Sequence, residues 1–428
     1  MEQPNLAMIP SGVKASKLYS IMPENGVGDF TFTRSSTAYK LNKDGLWELC
    51  ANNTPRLYYG LTDGVPDSCP CLLLEPASTN IIGYSQSFSS WGQTRSSVTS
   101  NSTTSPDGQL NGSKMSDDGS TGTDTSQRFL SVTVEEDEDY HFSVFAKKGS
   151  MDFIALRTGS FSDGGGTGET FFNLATGAVG TTYANHTASI EKYPNDWYRC
   201  IIKFTSGTDL SGTLLIRQAS ANGTSTVPLD GNSFVYLWGA QFEKTTTSKR
   251  ASSYIKSDSN SQTTRSAETC TGAGDASTFN SEQGIFFAEF ADLYDGNNSS
   301  FKRYFTLSDG TVNNVLRILK PSSSTNKISY AIRIGGSAAI TNAKSVTNIK
   351  DFNKIAVYYK SGNTKYYING VLQSVVTTTY TMFQPTTLSF GQFNGGGLLH
   401  SKCKDLRYYD TEGMTDTEIN NLLTQLTQ

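Results

Sequence analysis

The chain changes direction often and keeps no helical period for long, and this limits its possible folds more than any other feature. Short runs rich in β-branched and aromatic residues recur at 128–134, 140–146, 153–158, 170–174, 198–205, 213–217 and 233–242. A second series follows at 284–290, 303–307, 315–319, 328–334, 354–359, 365–368, 387–390 and 404–409. Between the runs lie Gly, Asn, Asp and Ser, the residues that supply turns. Many short strands separated by turns fold into sandwiches or jelly rolls rather than into alternating β and α units. The 21 Tyr, 23 Phe and 39 Gly fit pleated half-buried surfaces and abundant loops. The expected class is all-β: two β-sandwich (jelly-roll) domains, a β-rich N-terminal segment and a short C-terminal helix.

That helix is the exception to the strand pattern. Thr415 and Glu418 have capping-box spacing, and Ile419, Leu422, Leu423 and Leu426 then fall at i, i+3, i+4 and i+7 on one apolar stripe. Two hairpins are also legible. Asn42-Lys43-Asp44-Gly45 separates two alternating runs, and Asn369-Gly370 is a turn whose central residues both favour positive φ.

At 428 residues the chain is too long for one core. Residues 1–80 hold apolar runs but too few to close a domain, so they are expected to pack on a neighbour, either the next domain or another protein. Residues 81–255 read as one sandwich, within which the polar tract 94–127 reads as long loops. Residues 256–283 are Ser/Thr/Asn/Gly-rich and read as a linker, and 284–428 as a second sandwich.

Charge excludes one partner class. Only 17% of residues are charged, the net charge is −4, and no basic stripe exists to neutralise a phosphate backbone, so nucleic acid is not an expected partner. The opening Met-Glu-Gln-Pro-Asn-Leu-Ala has neither a cationic stretch nor a long apolar run, so no secretory signal and no membrane insertion are expected. The six cysteines (Cys50, Cys69, Cys71, Cys200, Cys270, Cys403) are sparse and irregular, unlike a disulfide scaffold. Cys69 and Cys71 point to opposite faces of an extended chain, and His141, His186 and His400 stand apart in sequence, so neither metal nor cofactor is expected.

Three stretches carry a resemblance. The first is Gly28-Asp29-Phe30-Thr31-Phe32-Thr33-Arg34-Ser35-Ser36-Thr37-Ala38 with Pro55-Arg56-Leu57; the second is Leu72-Leu73-Leu74-Glu75-Pro76-Ala77-Ser78-Thr79-Asn80-Ile81-Ile82 with Trp91. The third is Leu237-Trp238-Gly239-Ala240-Gln241-Phe242-Glu243 with Ser253-Tyr254-Ile255 and Thr264-Arg265. In order and spacing these blocks resemble a class of bacteriophage tail and virion-surface appendage proteins, and they bracket a run that resembles a carbohydrate-binding-module-like jelly roll. The blocks 354–359 and 366–370 resemble concanavalin-like (laminin G-like) lectin sandwiches. The resemblance implies a tail or head fibre or spike protein on the virion surface, made in the host cytoplasm. It further implies a homotrimer, joined to capsid or tail proteins through the N-terminal segment and attached to a host cell-surface glycan. A decoration protein without glycan binding and a polysaccharide depolymerase are the alternatives.

The residues do not favour catalysis. A glycosidase needs one protonated and one ionised carboxylate across the scissile bond. The densest acidic run, Glu135 to Asp139, lies between two strand candidates and reads as a solvated turn, while Asp292 and Asp295 have no evident partner. No nucleophile elbow, HExxH or phosphate loop occurs, and Gly164–Gly166 and Gly395–Gly397 read as loops. The chain is therefore expected not to be an enzyme. Trp47, Trp91, Trp197 and Trp238 are expected in cores or interfaces. The carbohydrate-binding candidates are loop residues: Tyr294, Asp295, Asn297 and Asn394.

Overall fold

The computed structural model describes residues 2–161, 166–245, 250–294, 303–321, 325–392 and 401–428. Its architecture is almost wholly β, with one short helix at the C-terminus. Among the described residues, two six-stranded sheets face each other between residues 92 and 244, and an eight-stranded and a nine-stranded sheet form a second sandwich.

The N-terminal segment is part of that second sandwich. Strand Leu6–Met8 pairs with Ser401–Asp410, as does Cys71–Leu74, while Arg56–Tyr58 extends the same sheet. Phe30–Thr33 joins the opposite sheet by pairing with Thr269–Ala273, which in turn pairs with Thr387–Phe390. Leu6, Phe30, Phe32, Leu72 and Leu74 are buried in one core with Phe286, Phe305, Tyr330 and Tyr408. A segment too short for its own core thus completes a core built far away in sequence. Toward the next domain in sequence the segment turns two hairpins, Ala38–Leu41 with Trp47–Cys50 and Leu61–Thr62 with Val65–Pro66.

The expected linker is corrected by these pairings. Residues 256–283 hold two strands: Thr263–Arg265 pairs with Ser78–Asn80, and Thr269–Ala273 is interior to the nine-stranded sheet. The jelly roll is therefore an insertion carried on a two-stranded stem, not the first of two modules in tandem. The polar tract 94–127 is likewise not mainly loop, because Ser96–Thr103 and Gly112–Asp117 are paired strands. Apart from Met115 and Val98 their inward positions are small or polar, so hydrophobic alternation did not reveal them. Asp117 is buried yet satisfied, with Oδ1 accepting from the backbone N–H of Gly119 (2.9 Å) and Gly231 (2.7 Å) and Oδ2 from Ser233 (2.9 Å).

Other expectations hold in detail. Asn369 (φ 48°) and Gly370 (φ 80°) make the turn between Thr364–Ile368 and Val371–Val376. The helix Asp416–Thr427 starts with a reciprocal capping box between Thr415 and Glu418, and Ile419, Leu422, Leu423 and Leu426 pack on Ile285, Phe287, Tyr358 and Tyr409. All four tryptophans are buried. Trp47 from the N-terminal hairpin meets Phe145, Trp197, Trp238 and Tyr254 of the inserted domain and its stem, joining the two sandwiches through an aromatic cluster.

Candidate functional site at the junction of the two sandwiches

Four charged residues of the three sequence blocks, Arg34, Arg56, Glu75 and Arg265, meet with Glu268 at the base of the stem. Arg56 donates to Glu268 through Nε (2.8 Å) and Nη2 (2.5 Å), and to Glu75 through Nη1 (3.0 Å). Arg34 donates to Glu268 Oε1 (2.8 Å), Arg265 pairs with Glu75, and Arg250 reaches Glu75 Oε1 at 2.8 Å. Ser253 Oγ donates to Glu75 Oε2 (2.6 Å). Above this cluster Glu243 accepts from Ser78 Oγ (2.5 Å), Ser252 Oγ (2.8 Å) and Gln241 Nε2 (2.8 Å). Burial alone would favour the neutral Glu75 carboxyl. Arg265, Arg56 and Arg250 outweigh it and hold that carboxyl well below the usual carboxylate range. Arg34, Arg56, Arg265, Glu75 and Glu268 are buried and only the Arg250 end of the network reaches solvent, so its role is to fix the stem, and with it the two sandwiches, in one arrangement.

Arg250 and Ser253 carry the network to a surface cleft. The cleft holds about 660 Å3, and an adjoining recess of about 70 Å3 shares Tyr58, Glu191, Tyr193, Arg250 and Lys402 with it. The N-terminal segment, the jelly roll and the eight-stranded sheet all contribute. Tyr58 ends the strand Arg56–Tyr58, and Asp63 sits in the tight turn between Leu61–Thr62 and Val65–Pro66. Ile190 to Tyr193 come from the jelly-roll strand Thr187–Tyr193, and Tyr198 from Trp197–Thr205. Lys402 lies on Ser401–Asp410 of the other sandwich.

The turn Asp63-Gly64 has φ 50° and 81°, and a Cβ on Gly64 would sit 3.1 Å from Lys192 Cγ, so glycine lets the hairpin lie against the jelly-roll strand. Gly177 (φ 73°) does the same on the opposite wall, where a Cβ would come within 2.5 Å of the Tyr198 ring. Burial pushes the phenols of Tyr58 and Tyr193 well above their ordinary range, which keeps them neutral; Tyr193 donates to Glu191 Oε2 at 3.3 Å. The result is an aromatic wall with charged groups of both signs along its rim. Junctions between domains are where ligand pockets concentrate, and the volume lies within the usual range of roughly 300–1,000 Å3.

Of the four loop candidates, Asp295, Asn297 and Asn394 lie outside the described residues. Tyr294 is half-buried, its N–H donates to Asp292 Oδ1 (3.1 Å), and its ring centroid lies 5.5 Å from Lys320 Nζ. It does not line the cleft, although its neighbour Leu293 lines the recess. The cleft residues were missed because their proximity is set by the insertion; the Asp63-Gly64 dipeptide was the one local sign of a turn there. Glu135 and Glu138 flank a turn and bind Lys244 at 2.8 and 3.0 Å. Gly166 is described, whereas Gly164, Gly165, Gly395–Gly397 and His400 are not. Among the described residues no group of three or more His, Cys, Asp or Glu is gathered for a metal ion, and no helix is long and apolar enough to cross a membrane.

No protein-family model matches the chain, and no curated protein sequence does. Among solved structures, the chain is similar to the CBM40 of Ruminococcus gnavus IT-sialidase bound to α2,3-sialyllactose, at 12% identity over 33% of this chain and 83% of that one, with a TM-score of 0.26. It is similar to domains LG4-5 of the mouse laminin α1 chain at 10% identity over 66% and 84%, TM-score 0.22. It is also similar to Trypanosoma rangeli sialidase at 8% identity over 99% and 93%, TM-score 0.26. These are likenesses of β-sandwich fold, and none bears on what this chain binds.

Proposed function

We propose that this chain is a non-enzymatic, glycan-binding appendage of a bacteriophage particle, and that the junction cleft holds the glycan. The observation that carries the glycan reading is the cleft itself: Tyr58, Tyr193 and Tyr198 beside Asp63, Glu191, Lys192, Arg250 and Lys402, at the meeting of two sandwiches. Aromatic faces cover the apolar side of a sugar ring, and flanking polar groups take its hydroxyls. The buried ion network beneath supports binding by presetting the geometry, which lowers the ordering cost of a weak ligand. The virion reading is supported by the ordered sequence blocks, which contribute Arg34, Arg56, Glu75 and Arg265 to that network.

A homotrimer is part of the proposal, because repeated weak sugar contacts gain avidity when several sites engage together. The strand Val371–Val376 ends its sheet with Val371, Leu372 and Val375 exposed. An edge of this kind invites pairing with another chain, and a second copy of this protein is the occupant proposed. The N-terminal segment is proposed to face capsid or tail proteins.

Glycan-array binding by the full chain, with Lys402→Ala and Tyr58→Leu as variants, tests the reading. Binding that falls in both variants supports it. A full chain that binds no glycan moves the protein to a decoration role. Release of reducing ends from host capsule makes it a depolymerase.

A further inference from the structure

A second cavity lies on the inserted domain, away from the junction. It holds about 230 Å3 and shares no lining residue with the cleft. Tyr84, Gln86, Asn101, Asn111, Ser113 and Asp258 are among the residues around it. Tyr84 and Asn101 both have left-handed backbone (φ 54° and 55°). Such conformations are uncommon for residues other than glycine, above all for a bulky tyrosine, and they cluster at binding sites.

The decisive feature is unmet hydrogen bonding. Ser113 is 1% exposed, faces inward beside Met115, and its Oγ has no hydrogen-bond partner. Asn111 is anchored by Nδ2, which donates to Asp107 Oδ2 (2.9 Å), while its Oδ1 is buried without a partner. Both residues line the same cavity. Buried polar atoms are nearly always satisfied, and Gln86 Nε2 is a third unpartnered atom at this cavity, so three orphans around one space mark a place where another molecule completes the bonding. The chemistry of that molecule follows from the wall. Asn111 Oδ1 only accepts, Ser113 Oγ both donates and accepts, and the Asp258 carboxylate is paired with Lys256 at 2.9 Å. Hydroxyl groups, which both donate and accept, meet an acceptor (Asn111 Oδ1), a donor (Gln86 Nε2) and a hydroxyl (Ser113 Oγ) together, and a sugar ring carries them on adjacent carbons. The volume is below the range for drug-sized ligands, which fits one ring rather than a chain of them.

We infer that this cavity is a second carbohydrate subsite, which takes adjacent hydroxyls of a single uncharged pyranose through Asn111 Oδ1 and Ser113 Oγ. It is independent of the cleft, and it would give one protomer two contacts on the same surface glycan.

The test is saturation-transfer NMR on the full chain with methyl glycosides of glucose, galactose and mannose, with N-acetylneuraminic acid as the charged comparison. At least one neutral glycoside should bind, and N-acetylneuraminic acid should not compete at this cavity. Ser113→Ala and Asn111→Leu should each weaken that binding about tenfold, the scale of one lost hydrogen bond. Ser113→Ala should leave the melting temperature unchanged or raised, since it removes an unsatisfied hydroxyl. Lys402→Ala should leave this binding untouched, which separates failure here from failure of the cleft. The subsite is overturned if no neutral glycoside binds, if binding survives both substitutions, or if Ser113→Ala lowers the melting temperature. A glycoside-soaked crystal with only water in the cavity also overturns it.

Discussion

Glu75 and Arg265 are 190 positions apart in sequence and form a buried ion pair across the two-stranded stem that carries the inserted jelly roll. Glu75 precedes the stem strand Ser78–Asn80 and Arg265 ends the strand Thr263–Arg265, and each is less than 2% exposed. The chain leaves the large sandwich beside one and returns beside the other. The pair therefore closes the insertion at its root, with Arg56, Arg34 and Glu268 beneath it.

Glu75→Gln tests that closure. Removing one partner of a buried pair leaves uncompensated charge and costs about 3–5 kcal/mol. The sign of the pH dependence follows from the Glu75 carboxyl lying below its ordinary 4.5. Its contribution is fully present above that value and is lost only as pH falls through the depressed native value. Thermal melts should show wild type keeping the junction at pH 4.5, with Glu75→Gln destabilised already at neutral pH. Equal melting temperatures at neutral pH would remove the closure role.

His186 makes a pH-sensitive contribution of the same sign, in a higher pH window. Its ring lies between Thr158 Oγ1 (3.0 Å) and Thr170 Oγ1 (2.9 Å), and burial pushes its pKa down from 6.5 to about 4. Between those values the unfolded chain takes up a proton that the folded chain refuses, so stability falls as pH drops from 6.5 to about 4. His141 adds to the trend, since burial lowers its pKa to about 4 as well. His186→Gln should flatten the decline in melting temperature over that interval, and an unchanged slope would refute the assignment.

The terminal helix should separate cap from core. Leu423 is fully buried, and Leu423→Asp should cost about 3–5 kcal/mol as an unpaired buried charge. Thr415→Ala removes the side-chain half of the capping box and should cost about 1 kcal/mol. Denaturant titration of the two variants checks the order, and a larger loss for Thr415→Ala would contradict it.

The exposed edge gives an assembly test. Leu372→Lys places a charge on the open strand Val371–Val376, the usual way edges are blunted. Sedimentation should show the full chain at three times 46.5 kDa and the variant dissociated. A wild-type monomer at high concentration would end the trimer proposal.

Truncation follows from the strand pairing. A chain lacking residues 1–80 loses Leu6–Met8, Phe30–Thr33 and Cys71–Leu74 from both sheets of the large sandwich. It should fail to fold, as judged by loss of the cooperative melt. A fully folded truncation would mean that those strands are dispensable.

By itself the sequence determined whatever depends on nearby residues. Short alternating runs and turn residues specified the strands from Tyr140 onward. Asn369-Gly370 specified a hairpin, and Thr415 with Glu418 and the leucine stripe specified a capped, docked helix, because capping, turn geometry and amphipathic spacing act within a few residues. It also contained Arg34, Arg56, Glu75, Glu243 and Arg265 as members of recognisable blocks, without revealing that they meet. Only tertiary structure decided that residues 1–80 complete a sandwich whose other strands begin at Thr269, and that the Ser/Thr-rich stretch around Thr263–Arg265 is half of a stem. Strand pairing is satisfied by any partner with matching backbone groups, so side-chain patterns do not name the partner. The cleft and the second cavity follow the same logic: the cleft is assembled only when the inserted domain is seated on the large sandwich, and the cavity only when residues 84–113 meet residues 257 and 258 within the inserted domain.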